Sequence, residues 1–153
     1  MQIVVVGAGI SGLLAARQLS EAGHDVIVFD KGRSSGGRCA TRRVGDSTFD
    51  HGAQFFTVRS DEFASLVHEW LSEGIAREWC KGFATQDGHP RYCGAQGMTS
   101  ISKHLAQRLD VRYSSMVFSL EQLSNGWRVH LDDGTLVECD HVVLTCPVPQ
   151  SMA

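Results

Sequence analysis

Three glycines and one carboxylate near the amino terminus have the types and spacing needed to bind a dinucleotide. The segment GAGISG, Gly7 to Gly12, fits the pattern G-x-G-x-x-G, and Asp30 follows eighteen residues after its last glycine. In such a motif Gly7 allows a tight turn, Gly9 lets the backbone approach a pyrophosphate, and Gly12 lets a helix pack closely on a sheet. Ser11 adds a hydroxyl that could donate to the same phosphate.

Asp30 is placed to complete the site at a ribose. A carboxylate at this point accepts hydrogen bonds from a ribose diol and repels a ribose 2′-phosphate, which favours NAD or FAD over NADP. Lys31 lies beside the same ribose end. The alternative is that the glycines only form a turn and that Asp30 is a solvated strand end.

The segment that begins at Asp30, DKGRSSGGRCATRR, carries five cations in fourteen residues. Within it, Gly37 would let the backbone come close to a ligand, and Arg38 could pair with a phosphate in a bidentate manner. An extended dinucleotide such as FAD has more use for this second loop than NAD has. A solvated basic loop and a nucleic-acid patch are the alternatives, and the net charge of −3 and the lack of interleaved aromatics disfavour nucleic acid.

These residues need a strand, a helix and a second strand to hold them. Gln2 to Val6 is a short β-branched run, apolar residues at helical spacing follow from Ile10, and Gly23 marks the end of that helix. The run DVIVFD, residues 25–30, predicts a second buried strand, so the pattern is that of a right-handed βαβ unit.

The rest of the chain mixes helices and strands. Residues 61–72 predict an amphipathic helix, residues 75–93 irregular strands, and residues 98–109 a further helix. VRYSSMVFSLEQL, GWRVHLDDG and TLVECDHVVLTC then predict three strands. The predicted fold class is α/β, a Rossmann-like, doubly wound, dinucleotide-binding sheet with part of a mixed second domain.

Composition excludes several other classes. The chain has 153 residues, 42% hydrophobic and 20% charged, which is typical of a globular protein without a membrane span. Its five scattered cysteines favour free thiols in the cytoplasm over a disulfide framework or zinc site. Most histidines, including His104, fall at turns or polar faces and are interpreted as surface residues rather than metal ligands. His51 is the exception, because it lies in the DHGAQ block; its role, like that of Asp50 before it, stays open.

Several blocks together resemble the flavin amine oxidase superfamily, and within it the renalase-like oxidoreductases. They are GAGISG, DKGRSSGGRCATRR, DHGAQFF, RYCGAQGM and DHVVLTCPVPQ, and they extend over the whole chain. The resemblance implies FAD, with Ser11 at the pyrophosphate, Asp30 at the ribose and Arg38 at the phosphate or ribityl region. It further implies roles along the cofactor for Gly52, Ala53, Gln54, Phe55, Val117 and Thr145.

The resemblance also implies an activity and an organisation. Members pass a hydride from a reduced small molecule to the flavin and then reduce molecular oxygen, and for the renalase-like members the implied substrates are isomers of NAD(P)H. Residues 1–58 would form the dinucleotide-binding core, 59–105 part of a substrate domain, and 106–153 the return to the core. Family members are about twice as long, so we expect a fragment or a chain that depends on a partner. The alternatives are an NAD-binding dehydrogenase and a non-catalytic dinucleotide-binding fragment or partner subunit.

Overall fold

The structure, a computed structural model, describes residues 1–82 and 88–152. Helices and strands alternate in its amino-terminal part, whereas the last third is mostly β-structure. In chain order the elements are β1 (Gln2–Val6), α1 (Ile10–Glu21), β2 (Asp25–Phe29), a 3-10 turn (Gly37–Cys39), β3 (Thr41–Val44), β4 (Ser47–Asp50), α2 (Asp61–Ser72), β5 (Ala76–Lys81), β6 (Pro90–Gly94), α3 (Thr99–Leu105), β7 (Asp110–Arg112), β8 (Val117–Leu123), β9 (Gly126–Leu131), β10 (Leu136–Cys139), β11 (His141–Leu144) and α4 (Val148–Ser151).

The chain divides into two compact units, and the first comprises Met1–Gly37 and Leu105–Ala153. Its main sheet is parallel, with strand order β11-β1-β2-β7. Val4 and Val5 of the inner strand β1 are fully buried, as expected for a parallel strand with both faces covered. Helix α1 connects β1 to β2 and packs against both, which confirms the predicted βαβ unit.

A second, antiparallel sheet of the first unit has the order β10-β9-β8. Val129 and Leu131 of β9 are buried, so the predicted alternation along this strand is confirmed. Val4, Ile27 and Phe29 of the parallel sheet belong to the same buried apolar cluster as these two residues. The two sheets therefore share one core.

The second unit, Arg38–His104, contains two antiparallel pairs, β3–β4 and β5–β6, and helices α2 and α3. Helix α2 begins after Ser60, whose Oγ accepts a hydrogen bond from the backbone N–H of Phe63 at 3.3 Å, a typical N-cap. The helix has the predicted bounds and buries Val67 and Trp70. The Phe56 ring lies 6.1 Å from that of Trp70 and 5.7 Å from that of Tyr92.

Two of the three strands predicted in the last third are wrong, because each is divided between the two sheets. VRYSSMVFSLEQL forms β7 in the parallel sheet and β8 in the antiparallel one, with Ser114 between them at a φ of 52°. TLVECDHVVLTC likewise forms β10 and β11. Between these, the Asp140 backbone N–H donates to the carbonyl of Gln2, and the Gln2 N–H donates to Oδ2 of Asp140. A continuous apolar pattern does not reveal a change of sheet.

Other bounds also differ from the prediction. Helix α3 ends at Leu105 rather than Leu109, and Arg108 beyond it has a φ of 65°, which a helix cannot contain. The region predicted as irregular strands forms β5 and β6, and the predicted strand residues 83–87 lie outside the described residues. The three predicted domain ranges (1–58, 59–105 and 106–153) stay a prediction beside the observed units.

Candidate functional site

The glycine loop between β1 and α1 has the geometry that its sequence requires. Gly7 has a φ of +108°, a conformation that favours glycine, and a Cβ there would lie 2.7 Å from Oγ1 of Thr145. A Cβ on Gly12 would overlap the carbonyl oxygen of Gly7. A Cβ on Gly9, by contrast, would meet nothing within 4 Å. Gly7 and Gly12 are therefore fixed by packing, and Gly9 faces open space.

The amino terminus of α1 offers unpaired hydrogen-bond donors beside this open space. Gly9 is the N-cap and no side chain caps the helix. The first N–H groups of an α-helix have no partner within the helix, and the helix dipole adds positive potential there. No acidic residue lies in the first turn, and Ser11 is exposed. This helix end can bind an anion such as a pyrophosphate.

Asp30, directly after β2, is joined to the glycine loop by its side chain. Its Oδ2 accepts the backbone N–H of Ala8 at 2.6 Å, and its Oδ1 accepts that of Gly32 at 2.7 Å. Each carboxylate oxygen can accept a second hydrogen bond, so both can still receive ribose hydroxyls. Lys31 extends to Gln150 at 3.4 Å and stays exposed, and its predicted place at the ribose stays a prediction.

The start of the basic segment also lies on the glycine loop. The backbone N–H of Gly36 donates to the carbonyl of Ala8 at 3.0 Å. Gly37 is so close that a Cβ on it would be 3.7 Å from the Cα of Gly9. Two glycine backbones thus meet beside the open position, and the predicted approach of Gly37 to a ligand stays a prediction.

Thr145 holds the glycine loop from the opposite side. Its hydroxyl is 2.9 Å from the carbonyl oxygen of Val6 and 3.3 Å from that of Gly7, and its backbone N–H donates to Val6 at 3.0 Å. The resemblance implies a cofactor contact for Thr145, whereas these bonds make it a positioning residue for the loop. Its direct contact with the cofactor stays a prediction.

Val117 begins β8 and pairs with Leu131 of β9. The turn before it is tied to the strand end that carries Asp30, because the Ser115 N–H donates to the Asp30 carbonyl at 3.0 Å. Val117 is therefore close in sequence to a residue bound to Asp30, and its predicted pairing with adenine stays a prediction.

In the second unit the structure joins Arg38 to the DHGAQFF block. The backbone N–H of Ala53 donates to the carbonyl of Arg38 at 2.8 Å, and a Cβ on Gly52 would overlap that same carbonyl. Gln54 is exposed, and the Phe55 ring lies 5.9 Å from the ring of Trp79. Roles for these residues along a flavin stay predictions.

Asp50 organises this part of the unit, a role that the sequence left open. Its Oδ1 accepts the Thr41 hydroxyl at 2.5 Å and the backbone N–H of Met98 at 2.9 Å. The Thr41 N–H in turn donates to Oγ1 of Thr99 at 2.7 Å. Asp50 therefore joins the β3–β4 hairpin to the start of α3. Its partners are 9 and 48 residues away in sequence, so spacing gives no signal for them.

Cysteine and histidine positions show what else the described residues could bind. Burial raises the pKa of the Cys39 thiol, and the charge of Arg38 only partly opposes this, so the thiol is not activated. His104, interpreted as a surface residue, is instead 8% exposed, and its Nδ1 lies 3.6 Å from Oε2 of Glu73. With Glu69 these two residues place three ligand atoms within 4.8 Å of one another. Two of the three are exposed carboxylates, and exposed acidic groups commonly lie together without a metal ion.

An open cleft of about 700 Å³ lies within the second unit, with Arg43, Phe49, Asp50, Arg77 and Trp79 among its lining residues. Burial raises the pKa of the Cys93 thiol, which also lines it. Sequence reasoning missed this cleft, because its residues come from two hairpins and from Gln54 between them.

Together, the parallel sheet, the open glycine loop and the uncapped helix end define a Rossmann-type dinucleotide-binding protein. A model of NAD(P)-binding Rossmann-like domains accordingly matches residues 5–70. A model of the flavin containing amine oxidoreductases matches residues 66–152, more than half of the chain, and the protein belongs to that family. Membership implies a flavin cofactor.

Relatives and solved structures agree with this placement. Renalase of Mus musculus is 29% identical over 163 residues, which cover 97% of this chain and 48% of that protein. A putative protoporphyrinogen oxidase from Exiguobacterium has a TM-score of 0.78 at 13% identity, covering 99% of this chain and 60% of the other. The structure of putrescine oxidase bound to putrescine has a TM-score of 0.70 at 16% identity, and the match covers 96% of this chain and 58% of the other. The chain therefore spans about half the length of renalase, and the two structures show the fold alone.

Across the described ranges, no helix combines the length and the apolar character needed to cross a bilayer.

Proposed function

We propose that the protein is an FAD-dependent oxidoreductase of the renalase-like kind. Bound FAD would supply the redox chemistry: oxidation of the substrate by loss of a hydride and a proton, and reduction of molecular oxygen to hydrogen peroxide by the same two electrons and two protons. The protein contributes binding, orientation and electrostatics to such chemistry. The open backbone at Gly9, beside the uncapped start of α1, is the observation that carries the proposal.

The residues present fit the adenosine diphosphate half of FAD. The diphosphate would bind the N–H groups at the start of α1 and the hydroxyl of Ser11. Asp30 keeps acceptor capacity for the ribose hydroxyls, and it also holds the glycine loop through Ala8. Arg38 and the Gly52–Phe55 segment would contact the rest of the cofactor, as the resemblance implies.

For the substrate we propose a reduced small molecule, with isomers of NAD(P)H as the first choice. The match to mouse renalase over nearly the whole chain supports this choice. An amine or another reduced heterocycle is the next choice, and the match to the flavin containing amine oxidoreductases supports the amine.

The cofactor is tested by the visible spectrum of the purified protein, followed by mass analysis of the molecule released on denaturation. We expect a flavin spectrum and the mass of FAD. Release of NAD without flavin would support the NAD-binding dehydrogenase, which the match to NAD(P)-binding domains favours. Release of no dinucleotide, with none bound on addition, would refute the proposal.

The substrate is tested on the flavin-loaded protein without oxygen. An NAD(P)H isomer should bleach the flavin absorbance, and admission of air should restore it with formation of peroxide. If only an amine bleached the flavin, the proposed substrate would be wrong, but the cofactor assignment would stand. Bound flavin that no reductant bleaches would indicate a non-catalytic dinucleotide-binding chain.

A further inference from the structure

The cleft of the second unit has the size of a small-molecule site. Its volume of about 700 Å³ falls within the roughly 300–1,000 Å³ of pockets that bind drug-sized ligands. The β3–β4 hairpin, Gln54, strand β5 and residues 93–97 at the end of β6 supply its lining. The charges and rings that these elements contribute decide which kind of molecule would bind.

Positive charge prevails in the cleft. Its lining contains two arginines, Arg43 and Arg77, and one carboxylate, Asp50, which already directs one oxygen at two donors of its own unit. Arg77 pairs with Cys93 through its backbone, but its guanidinium has no hydrogen bond or ion pair with any residue that the structure describes. Arg43 makes one long contact, from Nη2 to the carbonyl of Gln96 at 3.5 Å. Because a guanidinium has five N–H donors, both arginines keep donors for a ligand.

Flat apolar surface lies in the same cleft. Phe49 is 55% exposed and Trp79 is 44% exposed, and both rings line it. Trp79 contacts the ring of Phe55 at 5.9 Å with an interplanar angle of 38°, and this contact limits its rotation. A ring system can stack on such a surface while its acidic group pairs with a guanidinium.

We infer that this cleft binds a planar anion, with Arg43 and Arg77 donating to its carboxylate or phosphate and Trp79 stacking on its ring. A primary amine would instead meet two guanidinium charges and one carboxylate that is already engaged, which costs affinity. The cleft therefore favours an acidic substrate over an amine. That this anion is the molecule oxidised rests on the proposed function.

Binding is measured by calorimetry on the full chain with 2-naphthoate and 2-naphthylmethylamine, which match in ring system and size but carry opposite charges. We expect the acid to bind at least about tenfold more tightly than the amine and to weaken as salt is added. Equal or tighter binding of the amine, or binding of neither probe, would overturn the inference.

Substitutions of single arginines test which residues bind the acidic group of naphthoate. Arg77→Gln and Arg43→Gln should each weaken naphthoate binding by about tenfold, because each removes one charge-assisted pair. Arg42→Gln is the matched control, since Arg42 lies on the same hairpin strand and does not line the cleft. It should leave affinity unchanged. Naphthoate affinity that is the same in all three variants would refute the assignment, and circular dichroism shows whether each variant is folded.

The binding measurement does not depend on flavin, so the inference and the proposed function can fail separately. Naphthoate binding to a protein that neither releases FAD on denaturation nor binds added FAD would support the ligand assigned to the cleft and refute the flavoenzyme. In the flavin-loaded protein, naphthoate should compete with the reductant that bleaches the flavin. Bleaching that saturating naphthoate leaves unchanged would refute the link between cleft and substrate.

Discussion

Alanine at Gly9 and alanine at Gly12 should have opposite effects, although the two glycines belong to one motif. Gly9 has a φ of −78° and a ψ of 176°, which alanine adopts freely, and its Cβ would meet no atom within 4 Å. At Gly12 the added Cβ would overlap the carbonyl oxygen of Gly7, which no side-chain rotation can relieve. The first substitution should therefore affect the ligand, and the second the fold.

The expected free energies follow from these contacts. Gly9→Ala restricts the unfolded chain, which stabilises by about 0.4–1 kcal/mol, but alanine is a poorer N-cap than glycine by a similar amount. The free energy of unfolding should therefore change by less than ~1 kcal/mol. Gly12→Ala gains about 1 kcal/mol of helix propensity and loses about 3 kcal/mol to overpacking against backbone. Its net cost should be about 2 kcal/mol.

Gly9→Ala, which should change stability little, should have a large effect on FAD affinity. The methyl group of an alanine at position 9 would occupy the space where the diphosphate approaches the backbone. Gly9→Ala should therefore weaken FAD binding by at least about tenfold. Urea unfolding gives the stability, and titration of the flavin-stripped protein with FAD, followed by flavin fluorescence, gives the affinity. Unchanged FAD affinity in Gly9→Ala would refute the placement of the diphosphate. A stability loss in Gly9→Ala as large as that in Gly12→Ala would refute the packing argument.

Three further predictions concern other positions. Thr145→Val should lower the free energy of unfolding by about 1–2 kcal/mol, because two backbone carbonyls lose their hydroxyl donor; Thr145→Ser should restore most of it in urea unfolding, and equal losses would disprove the positioning role. Arg38→Ala should release FAD on gel filtration, whereas Arg33→Ala, in the same basic segment, should retain it; equal retention removes Arg38 from the site. Burial raises the pKa of the Cys139 thiol above 9.0, so stability present below about pH 9 should fall as the pH rises further, because the unfolded chain ionises first. Urea midpoints at about pH 8 and about pH 10 should show a smaller decline in Cys139→Ala, and an identical decline would contradict this.

The sequence predicts the local parts of the site because local sterics control them. Gly7, Gly9 and Gly12 have distinct surroundings that the motif anticipates, and Asp30 stands where the strand ends. The βαβ unit follows from an apolar run, a helical period and a second apolar run.

Contacts between distant residues could not be predicted in this way. The bond from Thr145 to Val6 joins residues 139 apart, and it depends on the register of β11 beside β1. The partners of Asp50 and the charge of the cleft likewise depend on how the two hairpins of the second unit are arranged. The two predictions of a single strand, where the structure has two, were wrong for the same reason. An apolar pattern indicates that a segment is buried but not which sheet it belongs to.

The parallel pairing of β1 with β11 has a consequence for how the protein is made. Strand β2, the other neighbour of β1, follows it closely, but β11 is translated more than a hundred residues after β1, with the whole of Arg38–His104 between them. Pairings between such distant segments form slowly, because the chain must first close a long loop. The glycine loop therefore lacks the Thr145 hydroxyl that braces it until residue 145 has been translated, so it matures later than it is made.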